Sequence, residues 1–212
     1  MKLERKDPLS VIITGVGGQG NILISRLIGQ TLVDDGYFVT IGETYGASQR
    51  GGSVASHVRI SKKTACSPLT PGGCADIVLG LEPLESLRIL TLFGNESSVV
   101  ITNTRVVHTM AVVIGDAEYP RLDTIKEGIA TLSRRAWYID ASKIALDMGM
   151  PLLTNIIMTG ALVGTGLLPI DKNRFKERFR MNFKKEQLAL NVKAFEMGIA
   201  EVERDGESGV PA

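Results

Sequence analysis

Two glycine-rich segments carry the residue types that chemistry most often needs. Gly15-Val16-Gly17-Gly18-Gln19-Gly20 satisfies G-x-G-x-x-G, directly after an apolar β-branched run (Ser10–Thr14) and at the mouth of a stretch with helical spacing (Ile22–Val33). In such a turn glycines permit positive φ and close backbone approach, and the first N–H groups of the helix face an anion such as a pyrophosphate. The acid that completes a dinucleotide fingerprint has one candidate, Glu43, which falls slightly late. The same glycines serve an alternative, purely structural end, which is to let the first helix pack closely on the first strand.

The second segment runs from Glu43 to Ser53 (ETYGASQRGGS) and leads into a strand pattern that bears His57 and Arg59. It gathers an acid, a guanidinium, hydroxyls and exposed backbone N–H groups, and loops of this kind carry function more often than cores do. Arg50, followed by Gly51 and Gly52, suits bidentate recognition of a phosphate or carboxylate, which a lysine does less well. A solvated hairpin connection is the alternative. The other polar residues read more plainly. His57 alternates with apolar neighbours, as a hydrogen-bonded sheet residue does, and His108 has no Cys or carboxylate at metal spacing. Ser48 and Ser53 lack a G-x-S-x-G elbow. Gly160 and Gly164, four apart on an apolar helix, favour a close helix contact. Seven basic residues between Lys172 and Lys185 alternate with Phe175, Phe179 and Phe183; a docked helix with a solvated face explains them better than a nucleic-acid strip.

The elements that must position these residues follow from periodicity. Strand patterns occur at Ser10–Thr14, Tyr37–Ile41, Val54–Ile60, Asp76–Leu81, Ser97–Thr102, Ala111–Ile114 and Ala136–Ile139. Helical patterns occur at Ile22–Val33, Pro83–Leu92, Thr124–Arg134 and Ser142–Asp147. The stretch between the second and third strands has no helical periodicity, so those strands are expected to pair antiparallel, since a parallel neighbour needs a crossover. From Asn155 only helical patterns remain, one apolar to about Leu168 and an amphipathic one over Asp171–Glu203, with Asp205–Ala212 expected to fray. The expected fold is α/β: a single Rossmann-like domain over residues 1–212, with a mixed, helix-covered sheet core in 10–150 and C-terminal helices in 155–203 packed on it.

Composition narrows the function classes. With 212 residues, 24 Lys+Arg against 23 Asp+Glu and a formal charge of +1, the chain is long enough for a sizeable core and has no global electrostatic case for nucleic acid. Its 2 cysteines and 2 histidines fall short of the four ligands that a cluster or a structural zinc site takes. Any metal or redox centre it serves must come largely from another chain or from a dissociable cofactor, and no metal site is expected here. Cys66 and Cys74 are expected to be free cytosolic thiols, because Met1–Leu9 has no apolar stretch of the secretory kind and no apolar run reaches the ~20 residues of a membrane span. A cytoplasmic location is expected.

Taken together, GVGGQGNILISRLIG (Gly15–Gly29), GETYGASQRGGSVASHVRIS (Gly42–Ser61), DIVLGLEPLE (Asp76–Glu85) and the YIDASKIA…N…MTGAL run (Tyr138–Leu162) resemble the gamma-type subunit or domain of 2-oxoacid:ferredoxin oxidoreductases. Within that family the chain looks like the small (beta) subunit of the indolepyruvate type, and the resemblance spans Ser10 to about Glu203. It implies a non-autonomous part of an enzyme that decarboxylates a 2-oxoacid on thiamine diphosphate, passes electrons through iron–sulfur clusters to ferredoxin and yields an acyl-CoA. Thiamine diphosphate, Mg and the clusters are then expected on a large partner subunit: Gly115-Asp116 begins like a metal–diphosphate motif, but Ala117 follows and no Asn pair appears later. By carry-over, Gly15, Gly17, Gly18, Gln19, Gly20, Glu43, Arg50, Gly51, Gly52 and Ser53 are expected at a subunit contact facing the active-site cleft, near the coenzyme A phosphates. The isolated chain is expected to self-associate through its subunit-facing surface. An NAD(P)-binding Rossmann reductase and a non-catalytic docking subunit remain the alternatives.

Overall fold

The computed structural model describes residues 6–45 and 51–207. Its centre is a six-stranded sheet in the order β2-β3-β1-β4-β5-β6, formed by β1 (Leu9–Val16), β2 (Phe38–Tyr45), β3 (Ser53–Ser61), β4 (Ile77–Gly80), β5 (Val99–Asn103) and β6 (Arg135–Ile139). β1, β4, β5 and β6 are parallel, whereas β3 lies antiparallel between β1 and β2. The expected mixed α/β sheet and the antiparallel second and third strands are therefore present. With β2 ending at Tyr45 and β3 beginning at Ser53, residues 46–52 fall short of the dozen or more that a crossover takes.

Both faces of the parallel strands are buried, which is why they read as continuous apolar runs. Val11, Ile13, Ile77, Leu79, Val99 and Ile101 face one core, against α1 (Asn21–Asp34), α6 (Thr154–Gly164), α7 (Lys172–Asn182) and α8 (Lys185–Glu207). Ile12, Val78 and Val100 face the other, against Ile89 and Leu90 of α2 (Pro83–Phe93) and Ile125 and Ile129 of α4 (Leu122–Leu132). α5 (Ala141–Asp147) and a 3-10 turn, Pro151–Leu153, lead into α6, which is buried from Ile156 to Val163.

α6 crosses α8 at backbone contact. A Cβ on Gly160 would lie 2.0 Å from the Phe195 carbonyl oxygen, and one on Gly198 would lie 1.9 Å from that of Ile157. The expected close helix contact at Gly160 and Gly164 is thus made within the chain. α7 docks through Phe175 and Phe179, both fully buried, and its cations pair with acids on neighbouring helices: Arg174 with Asp35, Arg178 with Asp34, Lys172 with Glu203 and Lys176 with Glu196. The basic run is a solvated, ion-paired helix face.

Three expectations are corrected. Ala111–Ile114 is not a strand: Met110–Val113 forms a short helix, α3, with no buried residue. β-propensity reflects fit to a half-buried pleated surface, and no neighbouring strand offers one here, so the chain closes local bonds from Val112 and Val113 to the Thr109 carbonyl instead. The final helical run is divided at Phe183–Lys184, where Phe183 takes an extended conformation. Asp205–Glu207, expected to fray, continue α8, and residues 208–212 lie outside the described chain.

Candidate functional site

The parallel strands deliver their carboxyl ends, and the antiparallel β3 its amino end, to one edge of the sheet. This is where α/β proteins hold ligands. The glycine turn follows β1 at that edge. Gly15 lacks the side chain that would strike Gln19 Oε1 at 2.4 Å; the Gln19 amide therefore folds back, accepting from Val16 N at 2.7 Å and donating Nε2 to the Leu81 carbonyl at 3.2 Å. Gly18 has φ 103° with open space where a Cβ would stand, and Gly20 caps α1 at φ 96° with no side-chain bond. Leu23 N and Ile24 N donate to the Gly20 carbonyl, so among the described residues the N–H groups of Asn21 and Ile22 are the ones left with neither an intrahelical partner nor a side-chain cap.

The two sequence motifs meet here. β1–β3 register sets Val16 opposite Ser53, and Gly17 N donates to the Gly52 carbonyl at 2.8 Å. Gly51 accepts from Met110 N at 3.0 Å, and Ser53 Oγ accepts from Arg88 Nη1 at 2.9 Å. Gly15, Gly17, Gly18, Gln19, Gly20, Gly51, Gly52 and Ser53 thus form one connected edge. Arg50 lies outside the described residues. Glu43 does not join the edge: its carboxylate accepts from Ser25 Oγ at 3.2 Å and Ser56 Oγ at 2.5 Å, tying α1 to the sheet. With β3 inserted, β2 is displaced from β1 by one further strand spacing, ~4.8 Å. An acid on β2 therefore stands farther from the turn than a dinucleotide fingerprint needs.

The turn opens onto a cleft of about 500 Å³ walled by Gly18, Leu23, Leu153, Asn155, Leu190 and Asn191. Asn155 approaches so closely that a Cβ on Gly20 would meet its Nδ2 at 2.2 Å. Its buried Oδ1 has no hydrogen-bond partner among the described residues. Leu152, at the rim, is 80% exposed.

Three side chains at this edge escaped the motif search. Asn103, at the end of β5, donates from Nδ2 to the Leu81 carbonyl and to Ser142 Oγ at 3.2 and 3.0 Å, joining β4, β5 and α5. Asn155 fell in a run that carried the family resemblance but had no role assigned. Glu82 is buried, caps α2 by accepting from Glu85 N at 2.9 Å, and accepts from Tyr119 O–H at 2.5 Å and Val107 N at 3.5 Å. An acid immediately before Pro83, at a strand-to-helix joint, is the sequence signal that identifies such a cap.

Residues 10–201 match the pyruvate ferredoxin/flavodoxin oxidoreductase family. The chain belongs to that family. The indolepyruvate oxidoreductase subunit IorB of Archaeoglobus fulgidus is 39% identical over 190 residues, covering 90% of this chain and 93% of that protein. The subunit of the same name from Thermococcus kodakarensis is 35% identical, covering 90% and 94%. Among solved structures, the gamma subunit of a keto/oxoacid ferredoxin oxidoreductase from Geobacter sulfurreducens superposes with a TM-score of 0.66 at 22% identity, covering 92% of this chain and 99% of that one. A 2-oxoglutarate:ferredoxin oxidoreductase from Magnetococcus marinus, solved with 2-oxoglutarate, coenzyme A and succinyl-CoA bound, superposes with 0.71 at 23% identity, covering 98% of this chain and 32% of that one. The resemblance to gamma-type subunits holds along the chain.

The side chains here do not fit thiamine diphosphate or an iron–sulfur cluster. Gly115-Asp116 stands in an exposed turn closing α3, with Asp116 N donating to the Ala111 carbonyl at 2.9 Å. Cys66 and Cys74 are free thiols, two where a cluster takes four. His57 is buried with its pKa lowered by burial and by Arg59, and its Nδ1 accepts from Thr70 N at 3.3 Å; it is a sheet residue, as expected. Among the described residues, no helix is long and apolar enough to cross a membrane.

Burial raises the Glu82 pKa above its ordinary value, and its hydrogen bonds to Tyr119, Glu85 and Val107 only partly oppose the shift. The native chain therefore holds this proton more tightly than the unfolded chain does. The resulting contribution to stability is fully present below the ordinary Glu pKa and is lost as pH rises through the higher native value. Urea denaturation across that range is expected to show this loss in the wild type and its absence in Glu82→Gln. Parallel pH profiles for the two proteins would contradict the assignment.

Proposed function

We propose that this chain is a cytoplasmic, non-autonomous subunit of a 2-oxoacid:ferredoxin oxidoreductase of the indolepyruvate, arylpyruvate or pyruvate type. Its observation is the bond between the two family motifs, Gly17 N to the Gly52 carbonyl, which makes the glycine turn and the 51–53 segment one surface at the sheet's carboxyl edge. The large partner supplies thiamine diphosphate, Mg and iron–sulfur clusters. Held by that partner, these groups would supply the decarboxylation and electron-transfer chemistry that this chain's side chains do not. The whole of residues 1–212 acts as one domain that shapes and closes the partner's pocket. Gly15–Gly20 and Arg50–Ser53 face that pocket, and the uncapped N–H groups of α1 offer an anion site for coenzyme A phosphates.

The assembled complex is expected to reduce ferredoxin with an aryl or small aliphatic 2-oxoacid and coenzyme A. Failure with every such acid would contradict the reading. Arg50→Ala is expected to leave the fold intact and weaken assembly or coenzyme A use by about 1–3 kcal/mol, the range for a lost charge-assisted hydrogen bond; unchanged assembly and unchanged coenzyme A kinetics would remove Arg50 from the contact. Against the NAD(P) reading stand the strand inserted between β1 and β2 and the occupied Glu43 carboxylate. Titration of the chain with NADH, followed by cofactor fluorescence, is expected to show no saturable binding.

A further inference from the structure

The carboxyl ends of β5 and β6 open onto a second cleft of about 720 Å³, walled by Thr104, Arg105, His108, Asp140, Ser142 and Lys143. It adjoins the cleft at the glycine turn through Ser142, which lines both. Many cations of this chain are taken up by acids: Lys6 by Asp76, Arg88 by Glu85, Arg174 by Asp35 and Lys176 by Glu196. Arg105 and Lys143 have no ion-pair partner among the described residues, yet they share one concave wall. Asp140, on the same wall, commits its Oδ1 to capping α5, accepting from Lys143 N at 3.1 Å.

The buried framework orients a further donor. Asn103 is fully buried; its Nδ2 donates to Ser142 Oγ at 3.0 Å and its Oδ1 accepts from Ser142 N at 3.4 Å. With its oxygen already accepting from Asn103, the Ser142 hydroxyl has its own hydrogen left to donate, and it lines the cleft. A guanidinium fork, an ammonium and an oriented hydroxyl therefore line one cleft, together with the hydroxyl of Thr104 and the imidazole of His108.

We propose that this cleft is an anion site for a phosphate monoester. Arg105 and Lys143 outweigh the Asp140 carboxylate, which is held to the α5 cap, so the wall is net positive and suits an anion. The planar Arg105 fork takes two terminal oxygens, and the Lys143 point charge and the Ser142 hydroxyl serve the third. The volume lies within the ~300–1,000 Å³ typical of small-molecule sites, so the monoester has room to be the end of a larger ligand. This site lies at β5 and β6 and meets the glycine-turn cleft at Ser142; it does not depend on the oxidoreductase reading.

Amide NMR of the full chain titrated with inorganic phosphate tests it. Saturable shifts are expected at residues 104–108 and 140–143, with affinity falling at least tenfold in Arg105→Gln/Lys143→Gln and amide dispersion elsewhere unchanged. A tenfold preference for coenzyme A over 3′-dephospho-coenzyme A at these same residues assigns the monoester to a larger ligand, and equal binding of the two assigns the site to free phosphate. Shifts that do not saturate, that centre on residues 172–185, or that survive the double substitution would overturn the proposal. Co-purification with a thiamine- and cluster-bearing chain is a separate outcome, so failure here and failure of the assembly reading are distinguishable.

Discussion

Gly160→Ala is expected to destabilise the chain by about 3 kcal/mol or more, at the upper end of overpacking effects. The added Cβ would lie 2.0 Å from the Phe195 carbonyl oxygen and 2.8 Å from its carbonyl carbon. Both are backbone atoms of a buried helix, so no rotamer change relieves the contact. α8 must move as a body, and a Cβ on Gly198 would likewise lie 1.9 Å from the Ile157 carbonyl oxygen across the same crossing, so the shift breaks a contact built from both sides. Gly29→Ala in α1 is the control: its Cβ would meet the Ile41 Cδ1 methyl at 2.9 Å, the far end of a side chain. There the gain in helix propensity, about 1 kcal/mol, offsets a small adjustment. Urea denaturation of the two variants is expected to separate them by several kcal/mol; equal midpoints would show that the α6–α8 crossing is not close-packed in solution.

The second large effect is on activity. The purified chain, given a 2-oxoacid, coenzyme A and ferredoxin or a viologen dye, is expected to reduce none of the acceptor, a loss to background rather than a partial defect. Decarboxylation of a 2-oxoacid leaves a carbanion that needs an electron sink. An imidazole or a carboxylate is no such sink, and the buried ones are already engaged: His57 is bonded to Thr70 N, and Glu82 to Tyr119 and the α2 cap. His108 is exposed, with its ring 5.3 Å from that of Tyr119. Two cysteines leave no electron path. Measurable reduction by the chain alone would contradict the division of labour between this subunit and a large partner.

The parallel core was legible because each buried strand is a short apolar run bounded by a turn, and the antiparallel β2–β3 pair was legible from a connection with no helical periodicity to serve as a crossover. α3 was not, because Ala-Val-Val-Ile reads as a strand wherever a sheet edge exists and nothing local says that none does. The break between α7 and α8 was hidden because Phe183 keeps the apolar spacing while its backbone turns extended. At the site, the glycine turn could be read from its glycines and its place between a strand and a helix. Its bond to Gly52 could not, since it depends on the β1–β3 register. Glu43 departs from the dinucleotide pattern for the same reason: the spacing of the fingerprint assumes that the second strand lies beside the first.

The most direct test of the central claim is to tag this chain in its native cell and purify it under non-denaturing conditions. A large chain carrying thiamine diphosphate and iron is expected to accompany it in constant ratio, with 2-oxoacid-dependent ferredoxin reduction following the two together. Elution without such a chain, with the activity in fractions that lack this one, would contradict the account.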